Sequence, residues 1–301
     1  MTSDLGPLGF RVAAVQSAGL DWATLAACWT LAGETRLFDA GWISDHLTDA
    51  SRERGGGAFE SMTVLAALAS RVPGMWVGVA VASNTFRHPA VLAKSAAVID
   101  NVTGGRFILG LGAGWHEGEH DQFGIPLPPI GERFDRFQSA VEVLSSLFSD
   151  AARRPPGLSL PDRFYPLHGA TLEPPPMRRG GPPLWLGVGK PRGIELAARF
   201  ADGWPMPGNR PGDVAYFAQM RDTIRRAIEA AGRDPDAFTF AGQMTSGESE
   251  GDLRRARETA EAFLRAGANH LIIGVPTALG PNGVARMASE VALPIRETLG
   301  R

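Results

Sequence analysis

The chain has 301 residues, 44% of them apolar and 21% charged, enough for one large globular unit; eight-fold α/β barrels need about 250. A net charge of −2 argues against a nucleic-acid partner, which would require a strongly basic face. No run approaches the roughly 20 apolar residues that span a bilayer, and residues 1–10 carry neither a basic nor an apolar leader, so a cytoplasmic protein without membrane contact is expected.

Strand-like and helix-like segments alternate from the start. The first pair is residues 11–16 with 22–36, where the single cysteine, Cys28, falls in an apolar helical stretch and reads as a buried small hydrophobe. Next come 41–45 with 59–71, 75–81 with 89–101, and 106–111 with 132–148. The second half supplies 183–187 with 192–200, 202–206 with 214–231, 238–243 with 252–266, and 270–275 with 283–299. Eight strand–helix pairs predict a (β/α)8 TIM barrel occupying residues 1–301 as one domain. The competing reading is an open doubly wound sheet, which would carry more strands than such sheets usually do. The Pro-, Gly- and Arg-rich stretch 149–182 reads as an insertion over the barrel, either a lid or a disordered loop.

In such barrels the site is built from the loops after each strand. After the second strand stand Ser44, Asp45 and His46; a histidine there can exchange a proton near neutral pH, and Asp45 could hold it or contact a ligand. The bland reading is a structural Asp-His pair. After the third strand, Ser83, Asn84 and Thr85 can hydrogen-bond a heteroaromatic ring, while Thr85 or His88 before Pro89 can simply cap a helix. Gly112, Ala113, Gly114 and Trp115 follow the fourth strand, and glycines let backbone N–H groups approach an anion; the plain alternative is a tight turn. Gly187, Val188, Gly189 and Lys190 open the helix after the fifth strand as a phosphate cradle, although barrel phosphate sites more often follow strands seven and eight.

His116-Glu117-Gly118-Glu119-His120 matches the H-E-x-x-H zinc pattern. Zinc would need both imidazoles on one helix face and a third ligand; Gly118 weakens a helix, and no third ligand is evident from spacing, so no metal is assigned. His168 and His270 read as structural, and Trp42, Trp185 and Trp204 as core. Of 30 basic residues only Lys94 and Lys190 are lysine, leaving 28 arginines; with 37 glycines this looks like GC-rich coding.

At these residues the chain resembles the luciferase-like monooxygenase family, particularly its F420-dependent branch. The carriers are Phe38-Asp39-Ala40-Gly41-Trp42-Ile43-Ser44-Asp45-His46, Thr85-Phe86-Arg87-His88-Pro89 leading to Ala93-Lys94, and Gly104-Gly105-Arg106-Phe107 through Gly114-Trp115. Gly131-Glu132-Arg133-Phe134-Asp135-Arg136, Pro183-Leu184-Trp185-Leu186-Gly187 and Ala201-Asp202-Gly203-Trp204 follow in the family's order. The resemblance implies a cofactor across the barrel's C-terminal mouth, with Asp45 and Ser83 on a deazaflavin ring and His46 near its reactive carbon. It implies a non-proline cis peptide near Ala80 and Val81 behind the ring, and a phosphate-bearing tail along residues 112–115 and 187–190. Acidic residues and a histidine after the Gly-Trp are common in the family, which accounts for the zinc-like string. Departures are Leu37 where many relatives have glycine, Trp115 where the sugar-phosphate dehydrogenase branch carries its acid, and Ala50 where that branch carries an aromatic.

The implied activity is hydride transfer between coenzyme F420 and a small organic substrate, with His46 as proton donor or acceptor. One alternative exchanges F420 for FMN and gives a monooxygenase; the glycine loops cannot separate two phosphate-bearing cofactors, but the Thr-Phe-Arg-His-Pro string and the GC-rich coding favour F420. Others are a non-catalytic F420-binding protein and a zinc hydrolase. Family members often form homodimers, which extends here by analogy only.

Overall fold

The computed structural model describes residues 5–12, 19–49 and 56–300. Parallel strands β1 (Leu8–Val12), β2 (Ala40–Ile43), β3 (Trp76–Ser83), β4 (Phe107–Gly112), β5 (Leu184–Leu186), β6 (Gly203–Pro205), β7 (Thr239–Thr245) and β8 (His270–Val275) pair in sequence order, and β8 pairs back to β1. Closure excludes the open sheet. Around the barrel run α1 (Trp22–Thr35), α2 (Ser61–Ala69), α3 (Pro89–Thr103), α4 (Ile130–Phe148), α5 (Pro191–Phe200), α6 (Val214–Ala230), α7 (Glu250–Arg265) and α8 (Gly280–Met287). Cys28 is buried in α1, as expected, and burial pushes its thiol up to about 11.

Two boundaries differ materially from the sequence pattern. β1 begins at Leu8 instead of residue 11, and residues 13–16 of that expectation lie outside the described residues. The cause is period-two burial: Leu8, Phe10 and Val12 face the helices, with Phe10 against Trp29 and Phe38 at 5.2 Å, while Gly9 and Arg11 face the barrel interior. The last helix is broken, passing from α8 through one π-turn (Ala288–Ala292) into Leu293–Thr298. Pro294 lacks an N–H and crowds the preceding turn, so the ladder cannot run through in α register.

The lower barrel is filled by large rings against glycines. Trp42 and Trp185 lie 4.8 Å apart, and a Cβ on Gly9, Gly78 or Gly203 would strike one of them. Both, with Trp204, are fully buried core residues. His270 accepts from Trp42 Nε1 at 2.9 Å, so its Nδ1 carries the hydrogen and donates to the Gly6 carbonyl at 2.7 Å. Burial pushes this imidazole down to about 4. The unfolded histidine, near 6.5, takes up a proton that the folded one refuses, so stability falls as pH drops from about 6.5 to 4, by on the order of 3 kcal/mol. Urea unfolding across that range is expected to show this loss, and His270→Gln to flatten it; an equal slope in the variant would assign the loss to other groups.

The 149–182 insertion is folded. Leu158–Leu160 pairs antiparallel with Leu167–Ala170, and the ribbon's tip returns to the mouth, where Tyr165 stacks edge-on with His88 at 5.1 Å. The return limb is strapped to α3: Lys94 Nζ donates to the Glu173 carbonyl, Asn101 Nδ2 to that of Pro175, and the Arg178 N–H to Asp100. The disordered-loop alternative is thereby corrected.

Candidate active site

Four strand ends meet at the C-terminal mouth. The Ser83 N–H donates to Asp45 Oδ2 at 2.8 Å, the Asn84 N–H to the Gly112 carbonyl at 2.9 Å, and the Gly187 N–H to the Leu111 carbonyl at 2.9 Å. The segments beginning at Asp45, Ser83, Gly112 and Gly187 are therefore neighbours.

Asp45 is 5% exposed and accepts four further or shared bonds around its carboxylate: Arg87 reaches both oxygens at 2.6 and 2.9 Å, Ser61 Oγ reaches Oδ1 at 2.7 Å, and Ser83 N–H reaches Oδ2. Arg87 also pairs with Glu60. Burial alone would lower the Arg87 guanidinium; hydrogen bonds and charge from Asp45 and Glu60 outweigh it and hold the cation. Asp45 therefore ties the loop after β2 to α2 and β3. It does not hold His46.

That partner is Glu119. His46 Nδ1 lies 3.0 and 3.2 Å from the two carboxylate oxygens, and the Leu47 and Thr48 N–H groups donate to Oε1 at 2.8 and 3.1 Å. Burial pushes the Glu119 carboxyl up, but these bonds and the imidazole outweigh it and hold it below the usual range. The carboxylate side chain is 1% exposed and the imidazole 22%. His46 is thus fixed through Nδ1 with its Nε2 edge directed away from Glu119. Trp115, 68% exposed, meets the His46 ring edge-on at 6.2 Å.

Ser83 and Thr85 share a 2.7 Å hydroxyl contact, and Thr85 Oγ1 lies 2.7 Å from His120 Nε2. His120 Nδ1 sits 2.7 Å from the His116 carbonyl and must donate to it. In the neutral imidazole Nε2 then accepts from Thr85, which in turn accepts from Ser83, leaving Ser83 oxygen as an acceptor toward the mouth. Gly114, at φ +85°, lies on this pair, and a Cβ would come 2.5 Å from Thr85 Oγ1. His88 rather than Thr85 caps α3, accepting from the Ala90 N–H. Asn84 is buried, donates weakly to Tyr165 Oη at 3.4 Å, and its Oδ1 has no partner among the described residues.

The zinc-like string does form a helix, Glu117–Phe123, despite Gly118. Its members are otherwise committed: His116 Nδ1 caps the helix by accepting from the Glu119 N–H, His120 uses both nitrogens, and Glu119 holds His46.

The Ala80–Val81 peptide is cis, and the register of β3 against β4 shifts between Val79 and Ala82. Val81 faces inward, where a Cβ on Gly112 or Gly187 would approach it to 2.8 or 3.1 Å. Glycines on both flanks leave its surface flat. Beyond Ala113, half-buried, and Val188, whose carbonyl accepts from Trp204 Nε1 at 2.8 Å, the chain reaches Gly189 beside Tyr216 and exposed Lys190. Lys190 occupies the N-cap of α5 without a side-chain cap bond, so the first helical N–H groups there point outward uncapped. Sequence reasoning missed Glu119, Arg87 and Ser61 as site members; Ala50 lies outside the described residues.

The family model for luciferase-like monooxygenases matches residues 9–295. A phthiodiolone/phenolphthiodiolone dimycocerosates ketoreductase of Mycobacterium tuberculosis (strain ATCC 25618 / H37Rv) is 30% identical over 275 residues, covering 84% of this chain and 68% of its own length. An F420-dependent glucose-6-phosphate dehydrogenase of Nakamurella multipartita is 29% identical over 238 residues, 78% of this chain and 66% of its own. The coenzyme F420 dependent tetrahydromethanopterin reductase from Methanopyrus kandleri has the same fold, with a TM-score of 0.72 at 17% identity over 96% of this chain and 99% of that one. Among the described residues no helix is long and apolar enough to cross a membrane. The chain belongs to the luciferase-like monooxygenase family and is an oxidoreductase.

Proposed function

We propose that this protein transfers a hydride between coenzyme F420 and a small organic substrate, with His46 exchanging the accompanying proton. The observation that carries the reading is the His46–Glu119 pair: a buried carboxylate bound to Nδ1 fixes the ring and its tautomer, with Nε2 on the opposite edge. A proton site of this kind at a barrel mouth suits a reaction in which hydride and proton move separately.

The residues present fit a deazaflavin. Val81, flanked by Gly112 and Gly187, offers a flat apolar backing next to Ala80, and Ser83 offers an acceptor oxygen at its edge. Asn84 Oδ1, buried and without a partner among the described residues, could accept from the ring system. The tail would run along Gly112–Ala113–Gly114–Trp115 and Gly187–Val188–Gly189–Lys190, ending near the uncapped turn of α5, where N–H groups and the lysine suit phosphate. Asp45, its oxygens already engaged, serves by positioning Ser83 and the His46 loop. When bound, F420 supplies or accepts the hydride. The F420-dependent relatives support this cofactor over FMN. FMN remains the second reading, because the family also contains monooxygenases and the flat wall accepts either tricycle.

Fluorescence titration of the purified protein with each cofactor separates the two. F420 is expected to bind at least tenfold tighter than FMN. Tighter FMN binding would move the protein to the oxygen-dependent branch.

A further inference from the structure

The barrel wall formed by β1, β8 and β7 carries a buried charge that the hydride-transfer chemistry does not use. Arg11 lies on β1, paired with Gly274 of β8, and points inward on the same side as Gly9. It is 6% exposed. Its Nη1 donates to Gln243 Oε1 at 2.9 Å, its Nε is buried without a partner, and among the described residues no carboxylate pairs with it. Gln243, on β7, is itself buried and donates its amide to the Met206 carbonyl, so its oxygen is turned toward Arg11 by construction. Between the two strands Gly274 contributes no side chain, and Gly208 is the next residue near the Gln243 amide.

Burial pushes Arg11 down to about 10, still protonated at neutral pH. A guanidinium has five N–H donors in a rigid fork, and among the described residues this one bonds a single neutral amide. A buried cation without a counter-charge is costly, and such groups are otherwise paired. The geometry that would relieve it is an oxyanion approaching from the mouth. If the ring lies against Val81, as proposed above, the substrate fills the space toward β1, β7 and β8, the wall that Arg11 occupies.

We infer that Arg11, oriented by Gln243, anchors a carboxylate of the substrate. The inference rests on the hydride-transfer reading for the word substrate, but the anion site itself is a property of β1, β7 and β8. The planar fork matches a carboxylate in two-point fashion, and the enclosed position favours that compact anion over a strongly hydrated phosphate dianion.

The test uses the full chain without cofactor and reads thermal stability at pH 7.5 and constant ionic strength, with benzoate and its neutral isostere benzamide as probes. Benzoate at a hundredfold excess over its Kd is expected to raise Tm by about 4 °C, and benzamide to leave it unchanged. Arg11→Gln should weaken benzoate at least tenfold. The benzoate–benzamide contrast in the unaltered protein stands even if that variant does not fold. Equal responses to both probes, a full response to inorganic phosphate, or undiminished benzoate binding in a folded R11Q would overturn the inference. Failure of F420 to bind while the benzoate response persists would count against the hydride-transfer reading alone.

Discussion

His46→Ala should lower turnover by about 10²- to 10⁴-fold, the range for loss of a positioned general acid or base, while F420 affinity stays within a few-fold. The split follows from where the imidazole sits. Its Nδ1 is taken by Glu119, and the groups proposed to hold the cofactor, around Val81, Ser83 and residues 187–190, belong to other strand ends. Glu119 makes the variant informative, since without the imidazole its carboxylate keeps, among the described residues, the Leu47 and Thr48 N–H donors. Steady-state kinetics with a binding titration on the same preparation measures both quantities. Turnover unchanged by the substitution would remove His46 from the reaction, and cofactor affinity lost in parallel would make it a binding residue instead.

Asp45→Ala is expected to cost about 2–3 kcal/mol in folding stability: breaking a buried ion pair outright costs about 3–5 kcal/mol, and here the Arg87 guanidinium keeps Glu60 as a counter-charge. The carboxylate is wholly enclosed, and its removal takes one of two carboxylates from Arg87 and the acceptor from both the Ser61 hydroxyl and the Ser83 N–H. These groups belong to two consecutive strand–helix units, so the damage should spread along the mouth rather than stay local. Urea unfolding of the variant gives the number directly. A loss below about 1 kcal/mol would mean that solvent reaches Arg87 and that Asp45 is available to a ligand after all.

The barrel was legible because its signal is repeated: apolar strands of period two, each followed by a 3.6-period helix. Strand-end residues inherited their position from that architecture, which is how His46, Ser83, Gly112 and Gly187 could be named together. Partners could not be read the same way. His46 and Glu119 are 73 residues apart, and Asp45 and Arg87 are 42 apart, so both pairs exist only once the barrel closes. Glu119 is further masked by the zinc-like string in which it stands, where two histidines suggest a metal site and the residue that bonds His46 is the acid. The sequence leaves Asp45 either holding His46 or contacting a ligand; adjacent residues leaving a strand point apart, and the carboxylate turns toward Arg87. The cis peptide at Ala80–Val81 came from family resemblance, since nothing in those two side chains announces it. Arg11 was assigned to a strand, but only the alternation Leu8, Phe10, Val12 against Gly9 and Arg11 reveals that it faces inward.

The glycines around Val81 and beneath Gly114 set the direction in which this enzyme can be re-tailored. A side chain added at 112 or 114 collides with Val81, Ser83 or Thr85, and one at 187 presses on Val81, so the floor resists remodelling without shifting what rests on it. The rim behaves differently: Trp115 is largely in solvent, and the ribbon carrying Tyr165 reaches the mouth from outside the barrel. New substrate preferences should therefore be reached by trimming the rim and rewriting that ribbon, with the floor left as found.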